Sequence, residues 1–338
     1  MPRKSFLEAI RDAQFEEMRR DPRVFMMGED LASNLFGTTT GLTEAFGAER
    51  VRNTPISEAG FIGAAAGAAM VGMRPIVDVT IASFLYPAMD QLVSIIAKSR
   101  YLYGGQARLP LVLRASLFYG GSNAAQHSDR PYPMLMTVPG LKIIAPSNAL
   151  DMKGLLKSAV RDDDPVVSFE DGALWSSRME IPADEDFLVP IGRAAVRREG
   201  ADVTVVAIAG TVPHALAAAG DVEKEGLSVE VIDPRTLVPL DVATILASVS
   251  KTGRLVAVDP AHRTCSAASE IAAIVAEQAF ADLRAPVIRV TTPDTHIPFS
   301  PPLEARLFPT RQRIAEAIRS AAHYDKRGAG GAHAQSGA

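Results

Sequence analysis

The amino-acid sequence predicts an α/β fold of two domains, each with a mainly parallel sheet flanked by helices. Three observations lead there. The first half contains short segments filled almost continuously with Val, Ile and Leu, as in parallel strands covered on both faces. The second half alternates strand-like and helix-like segments regularly, which reads as βαβ units with right-handed crossovers. The 338 residues, 47% of them hydrophobic, are enough for two cores of ordinary size.

In chain order, VFMMG at 24–28, RPIVDVTI at 74–81 and LPLVLRAS at 109–116 are the expected strands of the first domain. A helix is expected from Thr54-Pro55 to about Val71, because Pro at a first helical position after Thr is a start signal. Another is expected from Pro87 through DQLVSIIAKSRY. The segment 180–194, with two prolines and several acids, marks the boundary. The first domain is therefore placed at 1–185, a linker at 186–198 and the second domain at 199–324. In the second, strands at 203–209, 228–233, 254–259 and 286–291 alternate with helices at 213–225, 241–249 and 267–280, and a last helix fills 310–323. The Gly/Ala-rich tail 325–338 is expected to be disordered.

The net charge is −4 and no Lys/Arg run occurs, which argues against nucleic acid and anionic membranes as partners. The single cysteine, Cys265, excludes an intrachain disulfide and a thiolate metal cluster, and fits a reducing compartment. The most apolar stretch, Ala59–Met73, is short for a membrane span, and Arg74 and Asp78 follow it. The N-terminus lacks an apolar signal core and is rich in acids. A soluble cytoplasmic protein is expected. No GxGxxG follows a strand and no GxxxxGK[ST] occurs, so neither a nicotinamide-binding Rossmann domain nor a P-loop ATPase is supported.

Glu58 lies in the first turn of a helix made almost wholly of Ala, Gly, Ile and Phe. Its charge would complement the helix dipole. Among such neighbours it could also be buried, kept protonated and able to donate to a ring nitrogen. Gly60, Gly63 and Gly67 permit close backbone approach, either to the chain's own sheet or to a partner helix. His127 lies in the loop SNAAQHSDRP after the third strand, where parallel sheets present loops to ligands, and Asp129 could orient it. Glu29 and Asp30 are acids at the end of the first strand. The stretch SAVRDDDPVV at 158–167, which ends a helix in three aspartates, is either a solvated acidic loop or a site for a hard cation.

Several long motifs together resemble one family. GED at 28–30, TTGL at 39–42, FGAERVRNTPISEAGFIGAAAGAAMVGMRPI at 46–76 and AMDQLVSIIAKSRYLYGG at 88–105 are similar to the E1 β subunits of pyruvate, branched-chain and acetoin dehydrogenases. So are AAQHS at 124–128, PGLKIIAPSNALDMKGLLKSAVRDDDPVV at 139–167 and TPDTHIPFSPPLEARLFP at 292–309. The likeness spans about residues 20 to 322, and AAQHS is nearer the pyruvate and acetoin branches.

The resemblance implies a transketolase-like pyrimidine-binding domain followed by a transketolase C-terminal-type domain, with thiamine diphosphate as cofactor. It implies that Glu58 meets the N1′ atom of the aminopyrimidine, that Thr80, Phe84 and Glu29 line the ring site, and that His127 serves in the active-site channel. It also implies a structural potassium ion at Leu111, Ala159, Asp162 and Asp164, as in some members. The family's GDG…N motif for Mg²⁺ and diphosphate is absent. An E1 α subunit is thus expected to supply it in an α₂β₂ tetramer, with a lipoyl acyltransferase E2 as further partner. The expected reaction is decarboxylation of a 2-oxoacid, or cleavage of acetoin, with acyl transfer to lipoamide. Two alternatives are the β half of a split transketolase-like enzyme and a non-catalytic docking subunit.

Overall fold

The computed structural model describes residues 2–118 and 120–324. The tail read as disordered, 325–338, lies outside them. The chain forms two compact units. One comprises 1–193, 235–240 and 296–307, and the other 194–234, 241–295 and 308–338.

The first unit is built on a seven-stranded sheet. Its strands run in the order Thr236–Val238, Lys142–Ile144, Val166–Asp171, Val112–Leu117, Arg74–Ile81, Val24–Gly28, Val51–Asn53. All neighbours are parallel except the edge strand Thr236–Val238. The strands of the sheet's centre are buried almost throughout, which is why they read as continuous apolar runs. Helices Phe6–Arg20 and Ala149–Arg161 lie together in one core, meeting through Ala9, Ile10, Ala13, Met152 and Leu156. The first of these helices starts with a capping box. The Ser5 hydroxyl accepts the Glu8 N–H at 3.1 Å and the Glu8 carboxylate accepts the Ser5 N–H at 2.7 Å, worth about 1 kcal/mol.

Two expectations shift. The small-residue helix spans Glu58–Met70 and does not start at Pro55. The Thr54 N–H donates to the Gly28 carbonyl at 2.9 Å, extending the strand pairing past Asn53, so the chain stays non-helical to Ser57. The helix expected after Pro87 is a succession of three windings: a 3₁₀ stretch Ala82–Ala88, a π stretch Gln91–Ile96 and an α turn Ala97–Leu102. Wide π turns inside helices frequently occur at functional sites.

The second unit carries a five-stranded sheet in the order Ile288–Thr292, Leu255–His262, Val203–Ala207, Val229–Asp233, Ala195–Arg198. The four strands foreseen are parallel, and the fifth, Ala195–Arg198, is antiparallel at the edge. It lies within the stretch read as linker, of which 186–193 belong to the first unit. Helices Thr211–Glu223 and Arg311–Ala322 share the apolar core of this unit through Val212, Ala215, Ala219, Ile314 and Ile318. Among the described residues no helix is long and apolar enough to cross a membrane.

Candidate active site

The candidate residues gather at the C-terminal edge of the first unit's sheet, where open parallel sheets leave a crevice for ligands. Strand Val24–Gly28 delivers Glu29 there. A Cβ on Gly28 would stand 2.2 Å from the Asp78 carbonyl oxygen, so only glycine lets this strand and Arg74–Ile81 end so close together. Glu29 is 7% exposed. Its Oε1 is buried without a hydrogen-bond partner, and the carboxylate accepts the Ser57 N–H. Burial, then the Glu58 carboxylate, then Asp30 and Asp78, push the Glu29 carboxyl up to about 7.

Glu58 is the first residue of the small-residue helix and only half-buried. The deep burial that its apolar neighbours suggested falls to Glu29 instead, and the two carboxyls face one site. Thr80, 6% exposed, holds a left-handed backbone with φ +65°. Its N–H donates to Asp78 Oδ1 at 2.9 Å, which fixes that conformation, and its Oγ1 is buried without a partner. Phe84, on the 3₁₀ stretch, meets the His127 ring edge-on, with centroids 5.5 Å apart and planes at 88°. The Ser83 hydroxyl donates to the Gln126 carbonyl at 2.6 Å and so holds the histidine's turn from the same side. Asp129, read as a partner for His127, is instead hydrogen-bonded to the Tyr86 hydroxyl. Burial and the Asp129 carboxylate raise that phenol's pKa.

Glu29 Oε1, Thr80 Oγ1 and Ser128 Oγ are buried polar atoms without partners in this part of the first unit. Buried polar groups are nearly always satisfied, so these atoms suit a polar heterocycle that donates and accepts hydrogen bonds. The donor set fits the aminopyrimidine of thiamine diphosphate.

The four potassium candidates fare differently. The Leu111 carbonyl accepts the Val166 N–H at 3.0 Å, the Ala159 carbonyl accepts the Asp162 N–H at 3.3 Å, and the Asp162 carbonyl accepts Arg74 Nη1 at 2.8 Å. Lys142 Nζ lies 2.7 Å from the Asp162 carboxylate and 3.1 Å from that of Asp164, which Arg100 also meets. Asp163 pairs with Arg74 and Arg108. The acidic run is therefore ion-paired, with its aspartates partly exposed. Its donors are already engaged and its charge is balanced by Lys and Arg. No group of His, Cys, Asp and Glu suited to a metal occurs among the described residues. The potassium expectation gains no support here, and nothing below is routed through such an ion.

Some supporting residues were not foreseen. Arg114, 2% exposed, donates to both Glu170 oxygens at 2.8 and 2.7 Å, to Asp78 Oδ2 at 2.9 Å and to Gln14 Oε1 at 2.8 Å. Burial works against its charge, but the Glu170 and Asp78 carboxylates prevail and its pKa is raised. This network holds Asp78, and through it Thr80. A lone Arg and a lone Asp inside apolar strands were the available signals. Glu304, which binds the loop before His127, gave none.

The fold and this site define a transketolase-like protein. The family "Transketolase, pyrimidine binding domain" matches residues 3–174, and "Transketolase, C-terminal domain" matches 192–314. The chain is 42% identical to the acetoin:2,6-dichlorophenolindophenol oxidoreductase subunit beta of Bacillus subtilis, over 92% of this chain and 94% of that one. It is 41% identical to the pyruvate dehydrogenase E1 component subunit beta of Rhizobium meliloti, over 93% and 68%. It is 42% identical to the 2-oxoisovalerate dehydrogenase subunit beta of Bacillus subtilis, over 95% and 99%. A solved split-gene transketolase, titled an inactive beta4 tetramer, superposes with TM-score 0.77 at 25% identity, covering 94% of this chain and 97% of the other. The chain belongs to the E1 β-subunit family of 2-oxoacid and acetoin dehydrogenases.

Proposed function

We propose that this chain is the β subunit of a cytoplasmic, thiamine-diphosphate-dependent dehydrogenase E1 that decarboxylates a pyruvate-like 2-oxoacid or cleaves acetoin and passes the acyl group to lipoamide. The single observation that supports the reading is the buried, unpartnered Glu29 Oε1 at the edge of the parallel sheet, close enough to feel the Glu58 carboxylate. When bound, the cofactor supplies a nucleophilic carbon and an electron sink for cleaving a bond beside a carbonyl. Glu58 would meet the N1′ atom of the aminopyrimidine and hydrogen-bond to it. Glu29, whose carboxyl is pushed up to about 7 by burial and the neighbouring carboxylates, can hold or release a proton at working pH. Thr80 offers its unpartnered hydroxyl to the ring, and Phe84 gives both the ring and His127 an apolar wall. His127 holds or yields a proton where the acyl group leaves.

The sequence has no GDG, so an E1 α subunit is taken to hold Mg²⁺ and the diphosphate in an α₂β₂ tetramer, and a lipoyl acyltransferase to receive the acyl group. A β half of a split transketolase is the second reading, favoured by the structural likeness at 25% identity. The dehydrogenase reading stands on the higher identity to the dehydrogenase subunits. Glu58→Gln, assembled with the α partner and assayed on 2-oxoacids and acetoin with an artificial electron acceptor, should lose on the order of 10²–10⁴ in turnover. Retention of wild-type turnover would remove Glu58 from the mechanism. Turnover of ketose donors alone would favour the second reading.

A further inference from the structure

We propose that Glu304 is a positioning residue for His127, its carboxylate serving as the built-in anion of a main-chain N–H nest at Gly120–Ser122. The inference rests on reading His127 as an active-site group. Glu304 is 1% exposed. Its Oε1 accepts the Gly120 N–H at 2.8 Å and its Oε2 accepts the Ser122 N–H at 3.0 Å, across 184 and 182 positions of sequence. Both of its carboxylate oxygens thus accept backbone N–H groups of this loop.

Buried carboxylates need such partners, and charge-assisted bonds from backbone N–H groups are strong. The loop itself has the form that collects them. Gly120, Ser122 and Ala124 all have positive φ, of 73°, 57° and 57°. Residues of alternating hand aim successive N–H groups at one point and create an anion-binding concavity. Ser122 and Ala124 gain nothing from this conformation intrinsically and hold it only where surroundings enforce it. The enforcing anion arrives with Pro301–Glu304, a short turn in the segment 296–307 of the same unit.

His127 ends the turn Ala124–His127 that follows directly. The other side of that turn is held by Ser83 and Phe84. Loss of the anion frees Gly120–Ser122, lets Ser122 and Ala124 relax, and moves the base of the histidine's turn. The cofactor ring site, built on other strand ends, stays as it is. The expected defect is therefore in the step that uses His127 and not in cofactor or substrate binding.

The test uses the complex of this chain with its α partner and compares Glu304→Gln, Glu304→Asp, His127→Ala and the double variant His127→Ala/Glu304→Gln. Glu304→Gln should lower kcat by on the order of tenfold to a hundredfold, with KM and the half-saturating thiamine diphosphate concentration within about twofold of wild type. The double variant should be no slower than His127→Ala alone, because both changes act through one side chain. Hydrogen exchange of the peptide containing Gly120 and Ser122 should speed up in Glu304→Gln, with the rest of the chain unchanged. Glu304→Asp should fall between wild type and Gln, and carries the same comparison if the Gln variant fails to assemble. Wild-type kcat in Glu304→Gln alongside an impaired His127→Ala would overturn the inference and leave the role of His127 intact. Multiplying defects in the double variant would overturn it too. Wild-type kcat in His127→Ala would instead remove the reading beneath it.

Discussion

Two carboxyl groups in one site cannot both ionise without cost, and Glu29 bears that cost because it is the more deeply buried. Its pKa, about 7 against an ordinary 4.5, ties stability to pH in a definite direction. Between those values the folded chain holds a proton that the unfolded chain has released, so stability falls as pH rises through this window. In cofactor-free protein, Glu29→Gln should abolish this part of the decline, seen as a flatter plot of melting temperature against pH from about 5 to 7. Parallel plots for the two proteins would show that Glu29 titrates normally. At this scale Glu58, Glu29, Thr80, Phe84 and His127, singled out from the sequence, lie at one sheet edge or in its loops. It erred on which carboxyl is buried, because that depends on Gly28 meeting Asp78 across 50 residues of chain. It missed the Ser5–Glu8 capping box, although the Ser-x-x-Glu spacing was there to see.

Strand Val112–Leu117 depends on a charged residue at its centre. Arg114 ties its own strand to Val166–Asp171 through Glu170 and to Arg74–Ile81 through Asp78. Replacing it with Met would leave two carboxylates without their buried partner. Arg114→Met should therefore cost about 3–5 kcal/mol, the usual loss when one member of a buried pair is removed, measured by denaturant unfolding. A loss under about 1 kcal/mol, the level of an exposed pair, would mean that the network contributes little. Elements were legible where pattern alone decides them: the strands at 24–28 and 74–81 and the four parallel strands of the second unit. Strands Val51–Asn53 and Thr236–Val238 were not, because three residues are too few to show a period and their pairing is set by distant partners. The 3₁₀–π–α succession after Ile81 was hidden for a similar reason, since side-chain spacing does not distinguish a locally widened turn.

For the molecule as a whole, the proposed half-site implies a dependence on a second chain. Purified alone, this protein should show no thiamine-diphosphate-dependent turnover, and adding the α partner should create it. Turnover by the single chain would contradict the shared site outright. The two-domain α/β architecture was legible from the alternation of elements. The course of the chain between the two units was not, since nothing in 235–240 or 296–307 announces that these stretches belong with the N-terminal half.

That interleaving limits how the polypeptide can be cut. A fragment ending at residue 193 would lack the seventh strand of its own sheet and the carboxylate that seats the loop before His127. Dissection into separately expressed halves, routine for tandem modules, should give a frayed product from this gene. Fusion partners and cleavage tags belong at the two ends of the chain, not at the apparent seam.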